Sequence, residues 1–350
     1  MPVKVFLTGA TGYIGGTALD SIIRAHPDWE YHVLIRDEYR AEPIAAKYPN
    51  VRFTYGTLED DAILERASSQ ADIVVHTADS SDHYTGAVAI AKGLKEGHSP
   101  DNPGFWIHTS GTSILTWYDA EHHREGAPPL AEQKYHDIND IERLVTLPDG
   151  AHHRDVDKIA VAANSDIVKV AILCPPTIYG AGAGAVNTRS RQVPSLARAT
   201  LSKGFAPIVG QGKTEWDNVH SDDLGDLYVK LVDATQDPSK RDNPDIFGPH
   251  AYFFAENGSH KWADVAHWIA DEASKQGYLP EGLTKFVSEK EIVLMENGSV
   301  SWGRNSKGVA ERARKYLGWQ PKGVPLKDTI PEVVASEAKA LGLEPKEKKA

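Results

Sequence analysis

The segment Thr8-Gly9-Ala10-Thr11-Gly12-Tyr13-Ile14-Gly15 carries glycines at intervals of three. That spacing suits a phosphate. Gly9 permits a tight turn, Gly12 lets backbone approach a pyrophosphate with no Cβ in the way, and Gly15 allows a helix to pack closely on a strand. The N–H groups of the helix that follows offer a partial positive charge to the anion. The next strand ends at Ile35-Arg36-Asp37. A site for NAD places a carboxylate there for the ribose hydroxyls. Arg36 stands in that place instead. A guanidinium suits a 2′-phosphate, at about 1.5–3 kcal/mol for charge-assisted bonds. NADP(H) is therefore the expected cofactor, with NAD(H) the alternative if Asp37 still reaches the ribose.

These residues need a strand–helix–strand frame. Short apolar runs recur at Val3–Leu7, Tyr31–Ile35, Val51–Tyr55, Asp72–His76, Phe105–His108 and Val168–Leu173. Helical patterns lie between most of them, such as Ile14, Ala18 and Ile22 at i, i+4 and i+8. The alternation predicts an α/β fold: a Rossmann, doubly wound parallel sheet with ligands beyond the carboxyl ends of its strands. Residues 1–180 and about 212–235 form this domain. Residues 181–211 and 236–343 form a smaller, mainly helical substrate-binding part, with helices expected near 192–203, 222–234, 261–276, 307–317 and 328–341. Gly180–Gly184 reads as a flexible loop and 344–350 as a disordered tail.

The composition excludes several classes. The formal charge of −11 over 350 residues argues against a nucleic-acid partner. No apolar run approaches the roughly 20 residues needed to span a bilayer, and the N-terminus lacks a secretory pattern. The single cysteine, Cys174, excludes an internal disulfide and suits a reducing, cytoplasmic setting. The sequons at Asn257 and Asn297 read as turns.

Taken together, these motifs resemble the extended and atypical short-chain dehydrogenase/reductase group, the NAD-dependent epimerase/dehydratase-like proteins. TGATGYIGG (8–16) is similar to their opening fingerprint, and Asp72–Ala78 to their fourth strand. His108-Thr-Ser110-Gly resembles the fifth strand with its active-site serine. Cys174-Pro-Pro-Thr-Ile-Tyr-Gly180 resembles the sixth-strand motif beside the nicotinamide. Asn218–Leu224 and Leu317–Pro321 resemble later segments. The resemblance implies cofactor contacts from Gly9, Thr11, Gly12, Tyr13, Ile14, Gly15, Arg36, Thr77, Ala78, Asp79, Lys158, Pro175, Thr177 and Ile178. It departs at Gly56-Thr57-Leu58, where the family's Asp meets adenine. Thr57 and Leu58 are the expected contacts there.

The resemblance also implies a serine with a Tyr-x-x-x-Lys pair on one helix face, where the tyrosine moves a proton and the lysine lowers its pKa. This chain has no such motif. One reading makes Tyr135, 25 residues after Ser110, the proton donor. The other places the catalytic helix at His153-Arg-Asp-Val-Asp-Lys158, with Lys158 as the family lysine, Arg154 at the tyrosine position and His153 as the group that titrates near neutrality. The combined expectation is Ser110, Tyr135, Lys158 and His153, with Tyr135 reaching in from the loop 111–152. The pairs His122-His123 and His152-His153 carry no metal expectation, because adjacent histidines diverge in most backbones and no further ligands complete a tetrahedral site.

The expected function is hydride transfer to or from a small carbonyl or alcohol substrate. A nucleotide-sugar epimerase or dehydratase, and a non-catalytic NADP-binding regulator, are the alternatives. A homodimer is also compatible with the family. The substrate pocket is expected from Asp79–Tyr84, Thr112–Trp117, Tyr179–Arg191 and the C-terminal helices.

Overall fold

The computed structural model describes residues 2–346. Its strands are β1 (Lys4–Thr8), β2 (Glu30–Ile35), β3 (Arg52–Tyr55), β4 (Ile73–His76), β5 (Gly104–Thr109), β6 (Lys134–His136), β7 (Val168–Cys174), β8 (Thr177–Tyr179), β9 (Ala206–Val209), β10 (Glu215–His220), β11 (Tyr252–Phe254), β12 (Ser259–Lys261), β13 (Thr284–Val287) and β14 (Lys307–Val309). Its helices are α1 (Tyr13–Ala25), α2 (Glu38–Lys47), α3 (Asp61–Ser69), α4 (Tyr84–Gly97), α5 (Trp117–His122), α6 (Ile141–Val145), α7 (Arg154–Ala163), α8 (Gln192–Lys203), α9 (Ser221–Gln236), α10 (Trp262–Lys275), α11 (Glu289–Leu294), α12 (Arg312–Leu317) and α13 (Leu326–Ala340).

Seven parallel strands form the main sheet in the order β11-β7-β5-β4-β1-β2-β3. All six strands expected from sequence lie in it. Their continuous apolar runs follow from burial on both faces: Ile73, Val74 and Val75 are fully covered. The chain reverses between β1 and β4, where successive crossovers leave in opposite directions. The glycine loop sits at that switch point.

The seventh strand, β11, corrects the expected domain boundary. It pairs with β7, and Ile246, Phe247, Ala313, Leu317 and Trp319 share the sheet-side core. Parts of 236–343 therefore pack with the main sheet. The second core is smaller and joins α8, α10 and α13 through Leu196, Trp262, Ile269 and Val334, beside β9. Residues 307–317 are not one helix. β14 pairs with β6 before α12 begins.

Gly180–Gly184, expected to be a flexible loop, is packed on the start of α1. The Tyr13 hydroxyl donates to the Gly180 carbonyl at 2.7 Å, and Ser221 Oγ to that of Ala181 at 2.7 Å. The Ala183 N–H donates to Thr17 Oγ1 at 3.2 Å. Of the expected disordered tail, Lys346 instead donates its N–H to the Gly277 carbonyl at 2.9 Å. Residues 347–350 lie outside the described residues.

Candidate functional site

The cleft runs along the carboxyl edge of the sheet and has two parts. The larger, of about 830 Å³, reaches from Gly9–Gly15 past Ser110 and His153 to Arg191 and Trp216 between the two cores. The smaller, of about 460 Å³, lies over the ends of β2 and β3.

The glycine loop fits a pyrophosphate. Gly9 takes φ +86°, a backbone that favours glycine, and a Cβ there would stand 2.8 Å from the Ala78 nitrogen. A Cβ on Gly15 would fall 2.3 Å from the Gly9 oxygen and 2.3 Å from Thr77 Oγ1, so strand, loop and helix meet there with no room. Gly12 differs. Its Cβ would meet only the Gly9 oxygen, at 3.2 Å, and otherwise the cleft. Gly12 caps α1 without a side-chain hydrogen bond, and the first turn holds no acidic residue. The first helix amides are thus left for an anion. Tyr13 and Ile14 line the larger part, and Thr11 the smaller. Burial pushes the Tyr13 hydroxyl far above its usual pKa, so it serves as a neutral donor.

In the smaller part, Arg36 is joined by Arg40, which sequence reasoning did not single out. Asp37 caps α2. Its carboxylate accepts the Arg40 N–H at 2.9 Å and Arg40 Nε at 3.2 Å. Thr57, Leu58, Thr77 and Ala78 line this part, and Asp79, at φ +44°, lines both. Pro175 and Ile178 reach the larger part. Thr177 does not. It points from β8 into the protein and is fully buried.

The expected catalytic set is only half assembled. Ser110 lines the cleft at the end of β5, and its Oγ donates to Asp157 Oδ2 at 3.0 Å. His153 lines it too, with Nδ1 2.7 Å from Asp82 Oδ1. That bond holds the Asp82 carboxyl below its usual range. Tyr135 does not line the cleft. It is buried in β6, its oxygen accepts from Trp117 Nε1 at 3.2 Å, and the Arg143 guanidinium covers its ring at 4.4 Å. Lys158 is displaced as well: it lies on the outer face of α7, half exposed and paired with Asp149 at 2.7 Å. Both its catalytic and its cofactor assignment are therefore corrected. Arg154 turns inward to the carbonyls of Leu147 and Val145.

The pair on the cleft side of α7 is His153 and Asp157, four residues apart and so on one face. The sequence frame drawn through Arg154 and Lys158 was one residue late. His153 caps the helix at φ +68°. That turn also overturns the expected divergence of His152 and His153, because their rings pack 3.8 Å apart at 33°, with Asp82 beside them. The rings are tilted rather than stacked, and the ligand atoms of Asp82, His152 and His153 lie within 4.8 Å of one another, with His153 Nδ1 already bonded to Asp82. Beneath Ser110, Asp157 is fully buried. Its other oxygen lies 3.5 Å from His108 Nε2, and both ring nitrogens of His108 lack hydrogen-bond partners. The spacing His153-x-x-x-Asp157 was the available sequence signal, masked by the search for a lysine.

The chain belongs to the NAD dependent epimerase/dehydratase family, whose model matches residues 5–92 and 148–244. It is 36% identical to the oxidase ucsJ of an Acremonium species, over 98% of this chain and all of that one. It is 24% identical to an uncharacterized protein of Saccharomyces cerevisiae, over 94% and 98% of the two chains. Among solved structures, the dTDP-glucose 4,6-dehydratase DesIV of Streptomyces venezuelae, with NAD bound, superposes with a TM-score of 0.66 at 15% identity. That match covers 97% of this chain and 98% of the dehydratase. The UDP-glucose 4-epimerase of Thermotoga maritima, with UDP-glucose, gives 0.64 at 17%, covering 97% and 100%. Among the described residues no helix is long and apolar enough to cross a membrane.

Proposed function

We propose that the protein is an NADP(H)-dependent oxidoreductase acting on a small alcohol or carbonyl compound. The observation that carries this reading is the continuous cleft with two arginines at one end and a histidine–carboxylate pair at the other. Arg36 and Arg40 would bind the 2′-phosphate, since Asp37 is spent on the α2 cap. The amides after Gly12 would hold the pyrophosphate. A nicotinamide bound beside Ser110 would supply or take up a hydride. His153 moves the proton at the substrate oxygen through Nε2, and Asp82 fixes its ring. Ser110 binds that oxygen. Trp117 and Trp216 wall the substrate end and exclude water. The likeness to an oxidase supports redox chemistry, and among the described residues no Tyr–Lys pair faces the cleft, which weighs against sugar epimerisation or dehydration.

The test is a panel of alcohols with NADP⁺ and of ketones with NADPH, followed by nicotinamide absorbance. The reading predicts turnover with some member and a loss of about 10²–10⁴-fold in His153→Gln. Tight NADP(H) binding with no turnover across the panel would make the protein a cofactor-binding regulator instead.

A further inference from the structure

Three metal-ligating side chains meet at the cleft wall, drawn from two places far apart in sequence. Asp82 lies in the loop between β4 and α4, and His152 and His153 stand just before α7. All three line the larger part of the cleft. One carboxylate oxygen and two ring nitrogens from this set lie within 4.8 Å of one another. His153 Nδ1 and Asp82 Oδ1 are already 2.7 Å apart. His153 is buried, whereas Asp82 and His152 are exposed. Two adjustable ligands thus stand beside a fixed one.

Two imidazoles and one carboxylate suit a first-row transition ion of the zinc class, whereas Mg²⁺ and Ca²⁺ prefer oxygen ligands. Such an ion lies about 2.0–2.2 Å from each ligand atom, so tetrahedral ligands stand about 3.3 Å apart. The Asp82–His153 pair is inside that spacing. His152 has at most about 1.5 Å to close from the observed 4.8 Å limit. Its exposed ring must also turn, because the 33° tilt between the two rings does not by itself bring both lone pairs to one point. Three protein ligands leave the remaining position to water or to a molecule in the cleft.

We propose that Asp82, His152 and His153 form a site for a zinc-class transition ion in the cleft wall. His153 Nδ1 cannot bind the ion and share a hydrogen with Asp82 at once, so the ion takes that hydrogen's place. The pair then has two exclusive states, one bridged by hydrogen and one by metal. Only the hydrogen-bridged state keeps the proton-transfer arrangement described above. That consequence rests on the oxidoreductase reading, and the site itself does not.

The experiment uses the full chain, stripped with a chelator and dialysed. Zn²⁺ is titrated by calorimetry, and Co²⁺ is followed by its visible absorption. Wild type should take up one Zn²⁺ per chain, and bound Co²⁺ should give the intensified bands of an ion with nitrogen ligands and low coordination number. Excess Mg²⁺ should displace neither. His152→Ala and Asp82→Asn each remove a ligand from an exposed position, so the fold should hold. Each should weaken Zn²⁺ binding by about tenfold or more and diminish the Co²⁺ bands. His122→Ala removes an exposed histidine of the other pair and should leave both readouts unchanged. No saturable uptake by wild type, or unchanged Zn²⁺ affinity in either His152→Ala or Asp82→Asn, overturns the proposal. Neither result bears on the nucleotide reading, which stands or falls on NADP⁺ binding.

Discussion

Two glycines three residues apart should fail in different ways when each is made alanine. In Gly15→Ala the new Cβ would stand 2.3 Å from the Gly9 oxygen and 2.3 Å from Thr77 Oγ1. Ordinary contact begins near 3.4 Å, so α1 must withdraw by roughly 1 Å from a wall that is backbone on one side. Overpacking of this kind costs about 1–3 kcal/mol. For a chain of this size that lowers Tm by about 1–4 °C. In Gly12→Ala the Cβ meets one oxygen at 3.2 Å and otherwise enters the cleft where the pyrophosphate belongs. The fold should tolerate it, with Tm within about 1 °C, while nucleotide affinity falls by about tenfold or more as the amides lose close approach. Thermal unfolding without nucleotide and a titration with NADP⁺ separate the two effects. Equal Tm losses in both variants, or full nucleotide affinity in Gly12→Ala, would refute the division of labour between these positions.

Three further outcomes follow from the placement of side chains. Tyr135→Phe should leave turnover within about twofold of wild type, since Tyr135 lies off the cleft and its hydroxyl serves Trp117; a loss comparable to that of His153→Gln would restore it as the proton donor. Asp82→Asn should lower turnover by about 10² or more, measured on an alcohol that the panel identifies, because an amide no longer favours the tautomer with its hydrogen on Nδ1. Burial pushes the Asp217 carboxyl up to about 6, against the pull of Lys307 at 2.5 Å. The folded state then holds this proton where the unfolded state has released it, so the contribution of Asp217 to stability falls as pH rises from about 4 to 6. The stability of Asp217→Asn relative to wild type should therefore improve by about 1–3 kcal/mol between pH 4 and pH 7, read from urea midpoints. A difference that stays constant over that range would contradict the assignment.

The sheet was legible because its strands are buried on both faces, and Val, Ile and Leu then appear as unbroken runs. The glycine spacing and the place of Arg36 at the cleft were legible because both are set locally, within one βαβ unit. β11 escaped notice because Tyr252–Phe254 is three residues set among turns, too short for any period to show. β6 and β14 are as short, and their pairing locks Tyr135 into a role no local pattern announces. The candidate site was half legible. His153 was named, but its partner Asp82 comes from a loop 71 residues away. Asp157 was passed over because the frame was anchored on Lys158. His153 also caps α7 in a left-handed backbone conformation, which a non-glycine residue adopts rarely and no sequence pattern here announces.

We propose that the cleft holds NADP(H) through Arg36. A calorimetric titration of the full chain with NADP⁺ and NAD⁺ at fixed ionic strength, repeated on Arg36→Ala, tests it most directly. The predicted result is one site that prefers NADP⁺ by about ten- to a hundred-fold, with most of that preference lost in the variant and NAD⁺ affinity unchanged within about twofold. A wild-type preference for NAD⁺, or equal weakening of both nucleotides by Arg36→Ala, would contradict it.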